Sequence, residues 1–152
     1  MICSDGLKKN SKVICYTDGS YKKNKNGEYG VGWGYVMLDE EANEILHEEY
    51  GSYNEYMDSR QIGGELYAVA RLVQYCEEHG IDEVEIRHDY LGCCKWYDGS
   101  WKCKKELTQR YREFMLDSPI KITFAHVEGH SGERWNEYVD ELAKKGVESC
   151  GD

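Results

Sequence analysis

The sequence predicts an α/β fold: a five-stranded mixed sheet, three antiparallel strands then two parallel, flanked by helices on both faces. Three observations carry this expectation. Period-two apolar segments crowd the first third of the chain, close enough to follow one another through short turns. A long helical stripe at Arg60–His79 interrupts them. Short strand patterns then alternate with helical ones, and a strand reached across a helix runs parallel to its neighbour.

The first strand is read from Val13–Thr17, which is β-branched and aromatic, with Asp18 where the apolar run stops. Lys22–Glu28 reads as a polar turn. In Tyr29–Asp39, Val31, Trp33, Tyr35 and Met37 alternate with Gly30, Gly32, Gly34 and Val36, a strand with one nearly bare face. A bare face admits another backbone, of protein or ligand, at close range. Glu44–Ser52 reads as the third strand.

Ile62, Leu66, Val69, Val73 and Cys76 form the apolar stripe of the first helix, and Gly80 suits its C-terminus. Glu65 lies at the edge of that stripe. Asp82–Asp89 is a short strand with Val84, Ile86 and His88 on one face and Asp89 at its end. Tyr90–Tyr97 predicts a short helix, Gly99 a break, and Trp101–Met115 a further helix with a basic start. Ile120–Val127 alternates as the last strand. A glycine-flanked loop, Glu128–Gly132, leads to a final helix from about Arg134 to Gly146, with Asp140 at the margin of its apolar stripe.

The 152 residues suit one domain, expected over residues 12–147, with tails at 1–11 and 148–152. No apolar run is long enough to span a membrane. Met1–Ser11 lacks the apolar centre of a signal peptide, so a cytoplasmic location is expected. Seven cysteines at irregular spacings suit reduced thiols, Cys15 and Cys76 as packing residues. Adjacent Cys93 and Cys94 lack the gap of a zinc knuckle. The net charge of −10 argues against a generic nucleic-acid binder, but its distribution is uneven. Asp39–Asp58 holds eight acids without Lys or Arg, whereas Lys95–Arg112 holds six basic residues against two acids. Such patches let an acidic protein grip phosphates locally.

Asp18, Glu65, Asp89 and Asp140 all stand at margins of buried elements. In an α/β sheet the carboxyl ends of parallel strands gather at one edge, where ligands bind. Asp18 and Asp89 are expected side by side there. Carboxylates so close raise each other's pKa, and a hard divalent cation such as magnesium relieves the repulsion.

Five segments occur in order: YTDGSY with Asp18, GGELYAVARL with Glu65, IRHDYLG with Asp89, HVEGHSG with His130, and NEYVDELAKKG with Asp140. Together they resemble type 1 ribonuclease H from about Lys12 to Gly146. The resemblance implies a ribonuclease H-like fold and hydrolysis of the RNA strand of RNA–DNA hybrids, giving 5′-phosphate and 3′-hydroxyl products. It implies Asp18, Glu65, Asp89 and Asp140 as ligands of two magnesium ions, with manganese able to substitute. It implies that His130 assists proton transfer and product departure. A monomer is expected.

RNA is told from DNA by its 2′-hydroxyls, across a shallow minor groove. Candidates for that contact are Glu65, the backbone around Gly19 and Ser20, and Gln61, which falls where many members place an Asn. Trp96, Trp101, Lys102, Lys104 and Lys105 resemble a shortened form of the basic segment with which some members hold DNA. Two further departures stand out. Tyr90-Leu91-Gly92 replaces the Ser-Gln that follows the third acid in many bacterial members, and Gly63-Gly64 replaces a bulkier pair. Affinity for hybrid is expected to be modest and strongly salt-dependent.

Overall fold

The computed structural model describes residues 12–128 and 133–149. Its five strands are β1 (Lys12–Lys23), β2 (Tyr29–Leu38), β3 (Ile45–Tyr53), β4 (Glu83–His88) and β5 (Lys121–His126). The helices are α1 (Gln61–Glu78), α2 (Gly92–Asp98), α3 (Glu106–Asp117) and α4 (Arg134–Ser149). Strand order is β3-β2-β1-β4-β5. The β1–β2 and β2–β3 pairs are antiparallel, and β1–β4 and β4–β5 are parallel, as expected.

Strand alternation divides the core into two layers. Val13, Cys15, Tyr35 and Met37 face the side covered by Leu66, Val69 and Val73 of α1 and by Tyr111 and Met115 of α3. Ile14, Tyr16, Val36 and Leu38 meet Trp135, Val139 and Leu142 of α4. Each fully buried side chain of this size stabilises the fold by roughly 1.5–3 kcal/mol. Cys15 and Cys76 are buried free thiols, in keeping with a packing role.

The bare face of β2 receives protein backbone. A Cβ on Gly32 would lie 2.1 Å from the Ala143 carbonyl oxygen, and one on Gly146 would lie 2.2 Å from that of Gly51. These glycines let α4 sit directly on the sheet. The departure at Gly64 has the same cause on the other face, where a Cβ would come within 2.4 Å of the Gly32 carbonyl oxygen.

Two expectations are corrected. β1 does not end near Asp18. It continues to Lys23 because β2 pairs with it as far as Lys23 opposite Tyr29. The parallel partner β4 pairs only with Lys12–Tyr16, so Asp18 lies mid-strand but just past the end of the parallel ladder. Secondly, Trp101–Lys105 is not helical, and α3 begins at Glu106. This segment is tied back to α2. The Trp101 amide donates to the Lys95 carbonyl at 3.1 Å, and the Cys103 thiol lies 3.8 Å from the Trp96 carbonyl.

Candidate active site

Asp18, Glu65 and Asp89 converge, with one carboxylate oxygen from each lying within 4.8 Å of the others. Asp18 is carried by β1, Glu65 by the second turn of α1, and Asp89 by the residue that follows β4. Gly19 brings the first two together. A Cβ there would sit 2.5 Å from the Gln61 carbonyl oxygen and 2.6 Å from the Glu65 amide, so only glycine lets α1 start this close to β1. Asp89 is fixed by its flanks. His126, opposite His88 in the β4–β5 ladder, donates from Nε2 to the Asp89 carbonyl at 3.1 Å. His88 is buried and donates from Nδ1 to the Tyr90 carbonyl at 2.8 Å. Burial pushes the His88 pKa down to about 4, so this ring stays neutral.

The charge of Asp140, on α4, is felt at both Asp18 and Asp89. Asp140 also pairs with Lys144 one turn on, at 3.0 Å. Three of the four sequence-predicted acids form one cluster, and the fourth, Asp140, acts on it through its charge. His130 lies outside the described residues.

The electrostatics are unfavourable to the bare acids. Asp18 is 6% and Glu65 3% exposed. Burial is the largest cause raising Asp18, to about 7, and the charges of Asp89 and Asp140 add to it. Burial and the Asp18 charge push Glu65 well above the carboxylate range. Burial also raises Asp89. Within this cluster Glu65 Oε2 is buried and has no hydrogen-bond partner. A buried acceptor left unpaired costs about 1–3 kcal/mol. An orphaned oxygen beside two further carboxylates fits a hard divalent cation, which takes oxygen ligands. The residues present therefore fit magnesium.

A groove of about 760 Å³ runs between the start of α1 and the segment leading into α3; none of the four acids lines it, but Tyr90, next to Asp89, and Gln61, one turn before Glu65, do. Gln61, Trp96, Lys102, Lys104 and Lys105, all singled out in the sequence, line it together. Trp101 lies behind, edge-on to Trp96 at 5.4 Å between ring centres. Gly19 and Ser20 are differently placed. The Gly19 amide donates to Asp18 Oδ1 at 2.9 Å, and the Ser20 side chain is nearly buried. The sequence reading missed Arg60 and Tyr90, which also line the groove. Tyr90 replaces a polar residue of the family pattern, a departure that puts a groove contact in doubt, yet it stands in the groove wall. Arg60 has φ +54°, a conformation that side-chain-bearing residues seldom adopt and that no sequence pattern announces.

The family model for RNase H matches residues 10–148. A ribonuclease H of Francisella tularensis subsp. novicida is 32% identical, covering 93% of this chain and 94% of the relative. One from Albidiferax ferrireducens is 29% identical over 90% of this chain and 94% of the relative. Among solved structures, the N-terminal RNase H domain of rv2228c from Mycobacterium tuberculosis superposes with a TM-score of 0.73 at 18% identity, over 93% of this chain and 96% of that one. LC11-RNase H1, solved in complex with an RNA/DNA hybrid, gives 0.72 at 23% identity, over 92% and 99%. With acids in the expected places, the expected sheet, and this match along nearly its whole length, the chain belongs to the RNase H family of hydrolases.

Proposed function

We propose that this protein hydrolyses the RNA strand of RNA–DNA hybrids with divalent metal, leaving 5′-phosphate and 3′-hydroxyl ends. The observation that carries the proposal is the gathering of Asp18, Glu65 and Asp89 within 4.8 Å around an unpaired buried oxygen, in a chain of the RNase H family. Asp18, Glu65, Asp89 and Asp140 would hold the metal, magnesium or manganese. Asp18, on which the charges of Asp89 and Asp140 both act, would be central to that set. Such ions supply polarisation of the scissile phosphate, a more acidic bound water and neutralisation of the leaving oxygen.

The chain's own residues do the rest. Their rigid elements set the ligand positions before substrate arrives, so little reorganisation accompanies reaction. The lysines of the groove neutralise phosphates and make affinity fall with salt. Gln61, one helical turn before Glu65, would meet the minor groove, where 2′-hydroxyls mark the RNA strand. His130 would move a proton between the site and solvent as product leaves. A cytoplasmic monomer accompanies this reading.

The test is a panel of labelled hybrid, duplex DNA, duplex RNA and four-way junction. Each is incubated with the native chain or Asp18→Asn, in magnesium or in excess chelator. Cleavage confined to the RNA of the hybrid, lost in chelator and in the variant, is the expected result. Intact RNA beside a retarded band would identify a binding module instead. Junction cleavage would identify a different nuclease of this fold, and undiminished cutting in chelator would overturn the metal.

A further inference from the structure

Lys22 is neutralised by Glu148 at 3.0 Å, Lys12 faces Glu85 at 3.6 Å, and Lys144 pairs with Asp140. Two cations on the opposite side of the β1–β2 hairpin differ. The Arg60 guanidinium lies over the Tyr21 ring, 5.6 Å from its centre, and Lys23 Nζ lies 5.7 Å from that of Tyr29. Tyr21 and Tyr29 stack on each other, with centres 5.0 Å apart and planes at 17°. Neither cation has a carboxylate within ion-pair distance among the described residues. Tyr29 is 56% exposed.

The result is a ladder, cation to ring to ring to cation, on the surface of a protein with a net charge of −10. Its first rung belongs to the groove, because Arg60 lines both. Its last rung is Lys23, paired with Tyr29 at the far end of β1. Arg60 holds φ +54°, with its amide bonded to the Met57 carbonyl at 3.0 Å. Strained backbone of this kind is concentrated at functional sites.

We propose that this ladder is a second contact surface for the nucleic-acid duplex, gripping its sugar–phosphate backbone beyond the catalytic groove. The inference rests on the hybrid being the substrate. The two rings stack on each other, and the cations lie 5.6 and 5.7 Å from their centres. What the ladder offers outward is positive charge, phenol hydroxyls and ring edges, which suits phosphates and sugars. A duplex carries one negative charge per about 1.7 Å of its axis, so a helix leaving the groove along the hairpin meets the ladder with several phosphates in reach.

The experiment measures binding of fluorescent hybrids by anisotropy in chelator, which separates binding from cleavage. Two lengths are compared, about 18 base pairs and about 8 base pairs closed by a hairpin loop, the shorter filling the groove alone. For Lys23→Ala combined with Tyr29→Ala, the Kd for the long hybrid rises about five- to tenfold and its logarithmic salt slope falls by about 0.9. The short hybrid changes less than about twofold. Both residues are exposed, and an unchanged melting temperature verifies the fold. Tyr29→Phe, which keeps the stack, retains most of the affinity.

An unchanged Kd and slope on the long hybrid overturns the proposal. So does an equal loss on both lengths, which would make the ladder part of the groove. A dimer seen by sedimentation, dissolved by the double variant with hybrid binding intact, would make a second copy the occupant and also overturn it. Failure of the native chain to cleave hybrid strikes the proposed activity. Native cleavage with unaltered variant binding strikes this surface alone.

Discussion

Glu49 and Glu65 are two carboxylates of one molecule with opposite surroundings. Burial pushes the Glu49 pKa up, but hydrogen bonds from Tyr35, Arg71 and His47 outweigh it and hold the carboxyl below its usual range. Arg71 Nη2 reaches both Glu49 oxygens, at 2.8 and 3.1 Å. Glu65 has no such company. Its neighbours are acids, one oxygen is orphaned, and its pKa is pushed far up. The fold can supply a counter-charge to a carboxylate, and does so at Glu49. At Glu65 it does not, and one oxygen of that carboxyl is left without a partner.

Four measurements test the contrast between these carboxylates. The largest effect is expected for Asp18→Asn, which keeps shape and removes charge. The initial cleavage rate on labelled hybrid in magnesium should fall on the order of a thousandfold. A rate within threefold of native would remove Asp18 from the site. Next comes metal and stability. Saturating magnesium, at about 100 times its Kd, adds about 2.7 kcal/mol and should raise the native melting temperature by roughly 5–10 °C. Asp18→Asn should respond by less than half as much, and an equal response would place the ion elsewhere.

The third measurement turns on pH. A carboxyl whose folded pKa is raised contributes stability below its unfolded value near 4, and that contribution is lost as pH rises through the folded value. For Asp18 the folded value is about 7. In chelator, native protein should therefore lose melting temperature relative to Asp18→Asn between pH 4 and pH 8, by at least about 3 °C. Glu49 has the opposite sign. Its folded pKa is lowered, so its contribution is present above its unfolded value and lost as pH falls through the folded one. A native curve parallel to the variant's would mean the acids are not crowded in solution.

The smallest effect is Arg71→Ala. The pair with Glu49 is partly exposed, with side chains 27% and 25% accessible, so solvent screening limits its contribution to about 1 kcal/mol. Chemical denaturation should show that loss while kcat on hybrid stays at the native value. A matching fall in kcat would couple this network to the site and dissolve the contrast with Glu65.

Much of this was legible in the chain. The stripe from Leu66 to Cys76 announced α1, and period-two alternation announced β2. Asp18, Glu65, Asp89 and Asp140 could be picked out because each interrupts or borders an apolar pattern. Trp101–Lys105 was misread because its composition suits a helix, while its backbone is bonded back to α2. The end of β1 was misplaced because strand length there is set by a partner, β2, and not by the strand's own residues. His126 carried no signal, since its contact is with a carbonyl that lies 37 residues away in the chain.

Periodicity and residue type are local properties, so the class of fold, its antiparallel and parallel strands and the four acids could be read from the chain alone. Only the tertiary structure decided which glycines bring α1 and α4 onto the sheet, which carboxylate receives a counter-charge and which is left without one, and that Gln61 shares a groove with the lysines of a distant loop. Those depend on distances between residues far apart in the chain, and such distances exist only once the chain has closed on itself.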